Sequence, residues 1–276
     1  FRLDASNVLE KNIASVIMPI GIDHKDFLEN GTIEEIVYEK CSHLLNSSLV
    51  VVAEQKAGVL EKIKKNISNN SSKKIIFGEK YNYTKNEKGF TYKDNFGQIN
   101  LPLPNLHGDF QISNVSSAIA TIKNLKNFNI SEDKISTAIT KIRSEGRLQN
   151  ITQGKLRNFV SKNNIILVDG AHNPLAAFEI KKYLHKIRNS REIIIVLGMM
   201  ANKEHKEFIK ILKNEINYIV ALDIPNQTNF MPKESLLKIS ESCGVPAKIS
   251  KSITSALENI SKENNDAIIF CTGSLY

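Results

Sequence analysis

Several classes of protein are excluded by what this sequence lacks. Its three cysteines, Cys41, Cys243 and Cys271, lie far apart and no Cys-x-x-Cys occurs. That excludes a disulfide framework and a thiolate zinc site, and it fits a reducing compartment such as the cytoplasm. No apolar run approaches the about 20 residues of a membrane span, so no membrane is expected as a partner. The net charge of +8 comes from 37 basic and 29 acidic residues, yet it forms no block of about five or six like charges. Pairs such as Lys64-Lys65, Lys73-Lys74 and Lys181-Lys182 sit beside apolar residues, as on solvated faces of regular elements. Nucleic acid is therefore not expected as a partner, whereas small anionic substrates suit the charge. The second half opens without a Gly-x-Gly-x-x-Gly, so a dinucleotide fingerprint is absent. The start, Phe1-Arg2-Leu3-Asp4, carries no initiating Met and no signal-peptide pattern, and the strand pattern Ala267–Cys271 stops just short of the end. The chain reads as an internal piece of a longer protein.

What is present is an α/β chain. A length of 276 residues favours about two domains of roughly 100–200 residues each. One stretch organises the rest. Ile165-Ile166-Leu167-Val168 reads as a buried strand and Asp169-Gly170-Ala171-His172 as a turn. Asn173-Pro174 then reads as an N-cap followed by proline at the first helical position. An Asp and a His are thus placed at the C-terminal end of a strand against a helix N-terminus, where open α/β sheets bind ligands and where anions are favoured. From there strand and helix patterns alternate to the end, which implies a mostly parallel sheet covered by helices. Gly198–Lys203 and Thr272-Gly273-Ser274 also follow strands and are expected on the same sheet edge as Asp169 and His172.

In the first half, Ala14–Met18, Leu49–Ala53 and Lys74–Phe77 read as strands, and residues 80–100 as a hairpin region with Phe90, Tyr92 and Ile99 alternating. Thr32 with Glu35 forms a capping box ahead of a helix that carries Lys40. Asp23-His24, in a loop after a strand, suits a divalent cation or proton transfer. Gln111 and Asn114 share one face of a helix's first turn, placed to bind a ligand or to cap the helix. A helix begun at Ser131 is expected to stop at Gly146. The domain boundary falls there, giving domains 1–144 and 145–276. Arg147 beside it is either a phosphate clamp or a surface linker residue.

Taken together and in order, these stretches resemble the dihydrofolate synthase and folylpolyglutamate synthase family of the Mur ligase superfamily. The matching pieces are Arg2-Leu3-Asp4-Ala5-Ser6-Asn7, Ile20-Gly21-Ile22-Asp23-His24, Glu39-Lys40, Gly108-Asp109-Phe110-Gln111 with Asn114, Gly146-Arg147-Leu148-Gln149, Asp169–Pro174 and Thr272–Tyr276. The opening Arg-Leu-Asp-Ala is similar to the bacterial bifunctional type. The resemblance implies part of a central Mur ligase ATPase domain followed by a Rossmann-like C-terminal domain. It also implies an activity: ATP phosphorylates a carboxylate of dihydropteroate or a folate, and the amine of L-glutamate attacks the acyl phosphate. Such chemistry gathers negative charge on phosphoryl oxygens and calls for Mg²⁺ and donor groups.

By that resemblance His24 and Lys40 are metal ligands, Lys40 as a carbamate, and Lys40 and His172 are catalytic. Asn114, Arg147, Asp169 and His172 contact ATP, Asp4 and Ala5 line the pterin pocket, and Ser274 helps bind glutamate. The implied protein is a monomer acting on small molecules. The family's glycine-rich phosphate loop and a glutamate metal ligand have no counterpart in this sequence, so the piece by itself is expected to be inactive. Phe110 stands where His is common, and Cys41-Ser42 follows Lys40 where Ala-Gly is usual. Two other readings compete: a Mur-type ligase for a cell-wall precursor, and a non-catalytic basic binding module.

Overall fold

The computed structural model describes residues 11–42, 44, 47–126 and 128–274. The chain divides into two compact units, one running to Arg143 and one from Ser144 onward, with Leu106–Gly108 belonging to the second.

The first unit is built on three parallel strands, β1 (Asn12–Ile17), β2 (Ser47–Val52) and β3 (Lys73–Ile76), in the order β1-β2-β3. The run Leu49–Val52 is 0–3% exposed because this sheet is covered on both faces, which is why β2 reads as continuous apolar sequence and not as an alternation. Val50 and Val52 pack in one core with Ile36, Val37 and Ile63 of helices α1 (Ile33–Ser42) and α2 (Ala57–Ile67). Leu49, Val51 and Ile75 pack in another, against Ile112, Val115 and Ile119 of α3 (Phe110–Asn124). That second core also takes Tyr81, Phe90, Tyr92, Ile99 and Leu101 from an antiparallel meander of β4 (Tyr81–Asn86), β5 (Gly89–Asp94) and β6 (Gly97–Pro102). The capping box forms as read: Glu35 N–H donates to Thr32 Oγ1 at 3.3 Å and Thr32 N–H to Glu35 Oε2 at 3.0 Å.

Helix α4 (Glu132–Lys141) follows Ser131, with Ile135 and Ile139 buried. It does not run on to Gly146. Ile142 is already out of the helix at ψ 133°. Asn105 takes up the helix-end carbonyls, its N–H on Ile139 at 3.1 Å and its Nδ2 on Ile142 at 3.2 Å, and satisfied end carbonyls let a helix stop without a glycine.

In the second unit, β8 (Ile165–Val168), β9 (Ile193–Leu197), β10 (Tyr218–Ala221), β11 (Ala247–Ile249) and β12 (Ile268–Thr272) are parallel. A two-residue strand, β7 (Gln149–Asn150), pairs antiparallel with β8, and the sheet order is β11-β10-β9-β12-β8-β7. The linking helices are α5 (Pro174–Ile187), α6 (His205–Leu212), α7 (Lys233–Ser242) and α8 (Ile253–Glu263). Alternate residues of the strands, Ile166, Ile194, Val196 and Ile269, form one core with Ala256, Leu257 and Ile260 of α8. Because β12 lies between β8 and β9, the chain leaves β8, skips a position and later returns to fill it. The loops after β8, β9 and β12 thereby become neighbours at the carboxyl edge.

Ile194 is fully buried in the central strand β9. Ile194→Ala is expected to lower the unfolding free energy by about 2–5 kcal/mol, read as a reduced urea midpoint with an unchanged slope.

Candidate active site

The turn after β8 is anchored on one carboxylate. Asp169, 6% exposed, accepts the N–H of Leu148 at Oδ2 and the N–H of Ala171 at Oδ1, both at 2.8 Å. Its own N–H donates to Cys271 C=O at 3.0 Å and keeps it in register with β12. Burial pushes the Asp169 carboxyl above its ordinary value, while the two N–H donors and then the charges of Arg147 and His172 pull it back.

Asp169 also shapes the Gly146–Gln149 turn. Gly146, at φ 64°, accepts the Gly170 N–H at 2.9 Å and donates its own N–H to Gln149 Oε1 at 3.0 Å. Leu148 is fully buried and held at φ 45°, a conformation that a branched residue keeps only where its surroundings impose it. Arg147 projects exposed between two buried neighbours. The glycine read as a helix stop is thus part of the mount for Arg147.

The remaining loops close on the same edge. Asn173 caps α5 as expected, its Oδ1 accepting the Ala176 N–H at 2.9 Å. His172 Nδ1 lies 2.8 Å from Gly170 C=O; a carbonyl only accepts, so Nδ1 carries the proton and Nε2 is the basic nitrogen of the neutral ring. Thr272 Oγ1 donates to Ala171 C=O at 3.0 Å, and Gly198 N–H donates to Thr272 C=O at 3.2 Å. Gly273, at φ 106°, lies so close to the next loop that an added Cβ would stand 2.3 Å from Gly198 O. Ser274 follows, half-buried. At the start of α6 the buried His205 binds Met200 C=O, in the loop after β9, through Nε2 at 2.9 Å.

The first unit holds the other predicted residues. His24 follows β1 in the left-handed region at φ 56°, its N–H on Asp23 Oδ1 at 2.8 Å. Lys40 is half-buried in the last turn of α1. Asn114 neither caps α3 nor stands alone, since its Nδ2 donates to Gln111 Oε1 at 2.9 Å. The Asp109 carboxylate at that helix start pairs with Lys85 Nζ at 2.7 Å and does not cap. Burial pushes the Cys41 thiol up to about 12, so the cysteine after Lys40 is an inert core residue. Asp4 and Ala5 lie outside the described residues. Among the described residues no three His, Cys, Asp or Glu side chains converge as a metal cage. Sequence reasoning placed Gln149 and Thr272 within motifs but gave neither a role of its own; the spacing Gly146-x-x-Gln149 was the available signal for the first.

The family description "Mur ligase, glutamate ligase domain" matches residues 146–275, which includes this edge. That match covers the second unit of the chain from Gly146 onward. Along its whole length it is 27% identical to a probable dihydrofolate synthetase of Schizosaccharomyces pombe, of which it spans 66%. Over 79% of its length it is 29% identical to a dihydrofolate synthase/folylpolyglutamate synthase of Buchnera aphidicola, of which it spans 49%. The chain thus spans about half to two thirds of the length of these relatives. A Yersinia pestis bifunctional folylpolyglutamate synthase/dihydrofolate synthase, solved with AMPPNP and a Mn ion, shares the fold at a TM-score of 0.80 and 18% identity over 99% of this chain and 61% of its own. The Mur-type fold expected from the ordered motifs is therefore the fold of this chain. Among the described residues no helix is long and apolar enough to cross a membrane.

Two outcomes follow for this edge. In Asp169→Asn an amide NH₂ would face one of the two N–H donors, so the unfolding free energy should drop by about 1–3 kcal/mol in a urea titration. For His205, burial holds the ring below its ordinary 6.5. As pH falls below 6.5 the unfolded chain takes up a proton that the folded chain refuses, so His205 lowers stability on the acid side and contributes nothing above it. Thermal melts from pH 7.5 to about 5 should show a steeper acid loss in the parent than in His205→Gln.

Proposed function

We propose that the protein is an ATP-dependent ligase that adds L-glutamate to dihydropteroate, to the glutamate tail of folates, or to both. The observation that carries this reading is the match of the entire chain to a dihydrofolate synthetase. Its support is the Mur-type sheet edge on which the predicted residues Arg147, Asp169, His172 and Ser274 are mounted.

In this reading a substrate carboxylate oxygen attacks the γ-phosphorus of ATP and ADP leaves. The glutamate amine then attacks the acyl carbon, and phosphate leaves as the amide forms. Both steps concentrate charge on phosphoryl oxygens. Arg147 is the group for that charge, since a guanidinium stays protonated and pairs with phosphate through fixed donors. Asp169 acts through the backbone, holding the turn that presents Arg147. His172 and Asn114 are assigned to ATP, Ser274 to glutamate, and Asp4 and Ala5 to the pterin.

Mg²⁺ is the expected metal, and the relative from Yersinia pestis was solved with a Mn ion. The donor set fits a cation held chiefly by nucleotide phosphates: Asp23 and His24 offer one oxygen-bearing and one nitrogen-bearing side chain in adjacent positions, and no protein cage surrounds them among the described residues. Lys40 joins this set as a carbamate. When bound, such a cation would neutralise charge on the transferring phosphoryl group. The first unit is assigned as part of the ATPase domain and the second as the glutamate-binding domain. The three cysteines are free and buried, in keeping with a monomeric cytoplasmic enzyme.

Expressed from its complete coding region, the protein should form ADP, phosphate and dihydrofolate from ATP, dihydropteroate and L-glutamate. Arg147→Ala and Lys40→Ala should each lower turnover by at least about a hundredfold, the first by removing a donor to the developing charge and the second by removing a proposed ligand of the cation that neutralises it. Product formation equal to that of both variants would refute the assignment, and activity with cell-wall precursors in place of dihydropteroate would move it to another Mur ligase.

A further inference from the structure

We propose that Gln55 is the positioning residue for the loop that carries His24. The structural part stands by itself; its chemical meaning rests on the proposed function.

The main-chain ladder between β1 and β2 ends with Ala53 N–H on Ile17 C=O at 2.9 Å. Two residues later comes Pro19, which has no N–H to extend a ladder. The side chain of Gln55 takes over. Its Nε2 donates to Met18 C=O at 3.0 Å and its Oε1 accepts the Ile20 N–H at 2.9 Å. Across Pro19, one side-chain amide thus makes the pair of bonds that a residue of a parallel strand makes with the residues before and after its partner. It asks nothing of the proline between them.

This rung sets where the chain goes next. Ile20 is 8% exposed and packs with Ile22 in the core that α1 and α2 share with the sheet. Three residues on, Asp23 Oδ1 takes the His24 N–H, and His24 adopts φ 56°. A non-glycine residue in that region is held there by its surroundings. The segment from Met18 to His24 is therefore fixed at one end by Gln55 and at the other by Asp23, with Ile20 buried and Ile22 half-buried between. A loop without regular structure is given a defined path to a proposed cation ligand.

The bond pattern requires a neutral amide. Glutamate at this position has two acceptors and no donor for Met18 C=O, and methionine has neither. The test is hydrogen exchange of the 276-residue chain, read by residue, in the parent, Gln55→Glu and Gln55→Met. Both variants should speed exchange at Ile20 and through His24 by about tenfold or more, the expected effect of losing a hydrogen bond, with the amides of β2 and β12 unchanged. In the parent, Mn²⁺ added with ADP should broaden the His24 ring resonances, and both variants should need several-fold more Mn²⁺ for the same broadening. Unchanged exchange over 20–24, or acceleration spread equally through β2 and α3, would overturn the proposal. Localised acceleration without any Mn²⁺ effect on His24 in the parent would support Gln55 as the loop's anchor and refute the metal assignment of His24.

Discussion

The second unit depends on a buried carboxylate whose two oxygens each accept a backbone N–H. Asp169 sits at the end of β8, yet one of its bonds reaches back to Leu148, 21 residues earlier in the chain. A carboxylate in this setting is costly to bury and is tolerated because its acceptors are used. In return it ties the end of β8 to the turn that leads into the edge strand β7. Arg147 is presented to solvent because Gly146 and Leu148, on either side of it, are pinned inward. Without the bond to Leu148 the Gly146–Gln149 turn would keep the Gly170–Gly146 bond, the Gln149 side-chain bond and the β7–β8 pairing, but lose its tie to the Asp169 carboxylate.

Parallel strands make such arrangements possible. Every strand from β8 to β12 ends at the same edge, and the intercalation of β12 brings three of the ensuing loops together. Their contacts are of backbone with backbone or of short side chains with backbone: Thr272 with Ala171, Gly198 with Thr272, and Gly273 against Gly198. The last approach leaves no room for a Cβ, so the glycine there serves packing as well as its positive φ. His205 ties the next loop to the start of α6 in a similar way.

The first unit uses the same economy with different parts. Its three-stranded sheet ends at β1 in a proline, and a side-chain amide continues the ladder where the main chain has no donor. In both units a short polar side chain substitutes for a missing main-chain partner and thereby aims a loop. The residues so aimed, Arg147 and His24, are the ones whose chemistry suits phosphate and its counter-cation.

Local pattern was enough to read the regular elements. The apolar runs of β2, β8 and β9, the Thr32–Glu35 box and the Asn173-Pro174 start of α5 are set by side-chain period and by bonds within four residues, and these survive into the fold. So does the placement of Asp169 and His172 at a strand's carboxyl end, since it follows from strand–turn–helix order alone. Gly146 was misread because a glycine after a helical pattern resembles a stop, whereas Asn105, more than thirty residues earlier, ends that helix first. Asn114 was open between ligand and cap, and only the rotamers of the folded helix pair it with Gln111. The bond partners of Gln55, Gln149 and Thr272 were illegible for the same reason. Sequence by itself determines which groups are available and which element each begins or ends. Which distant backbone group a polar side chain satisfies is decided only when the sheet brings the two within about 3 Å.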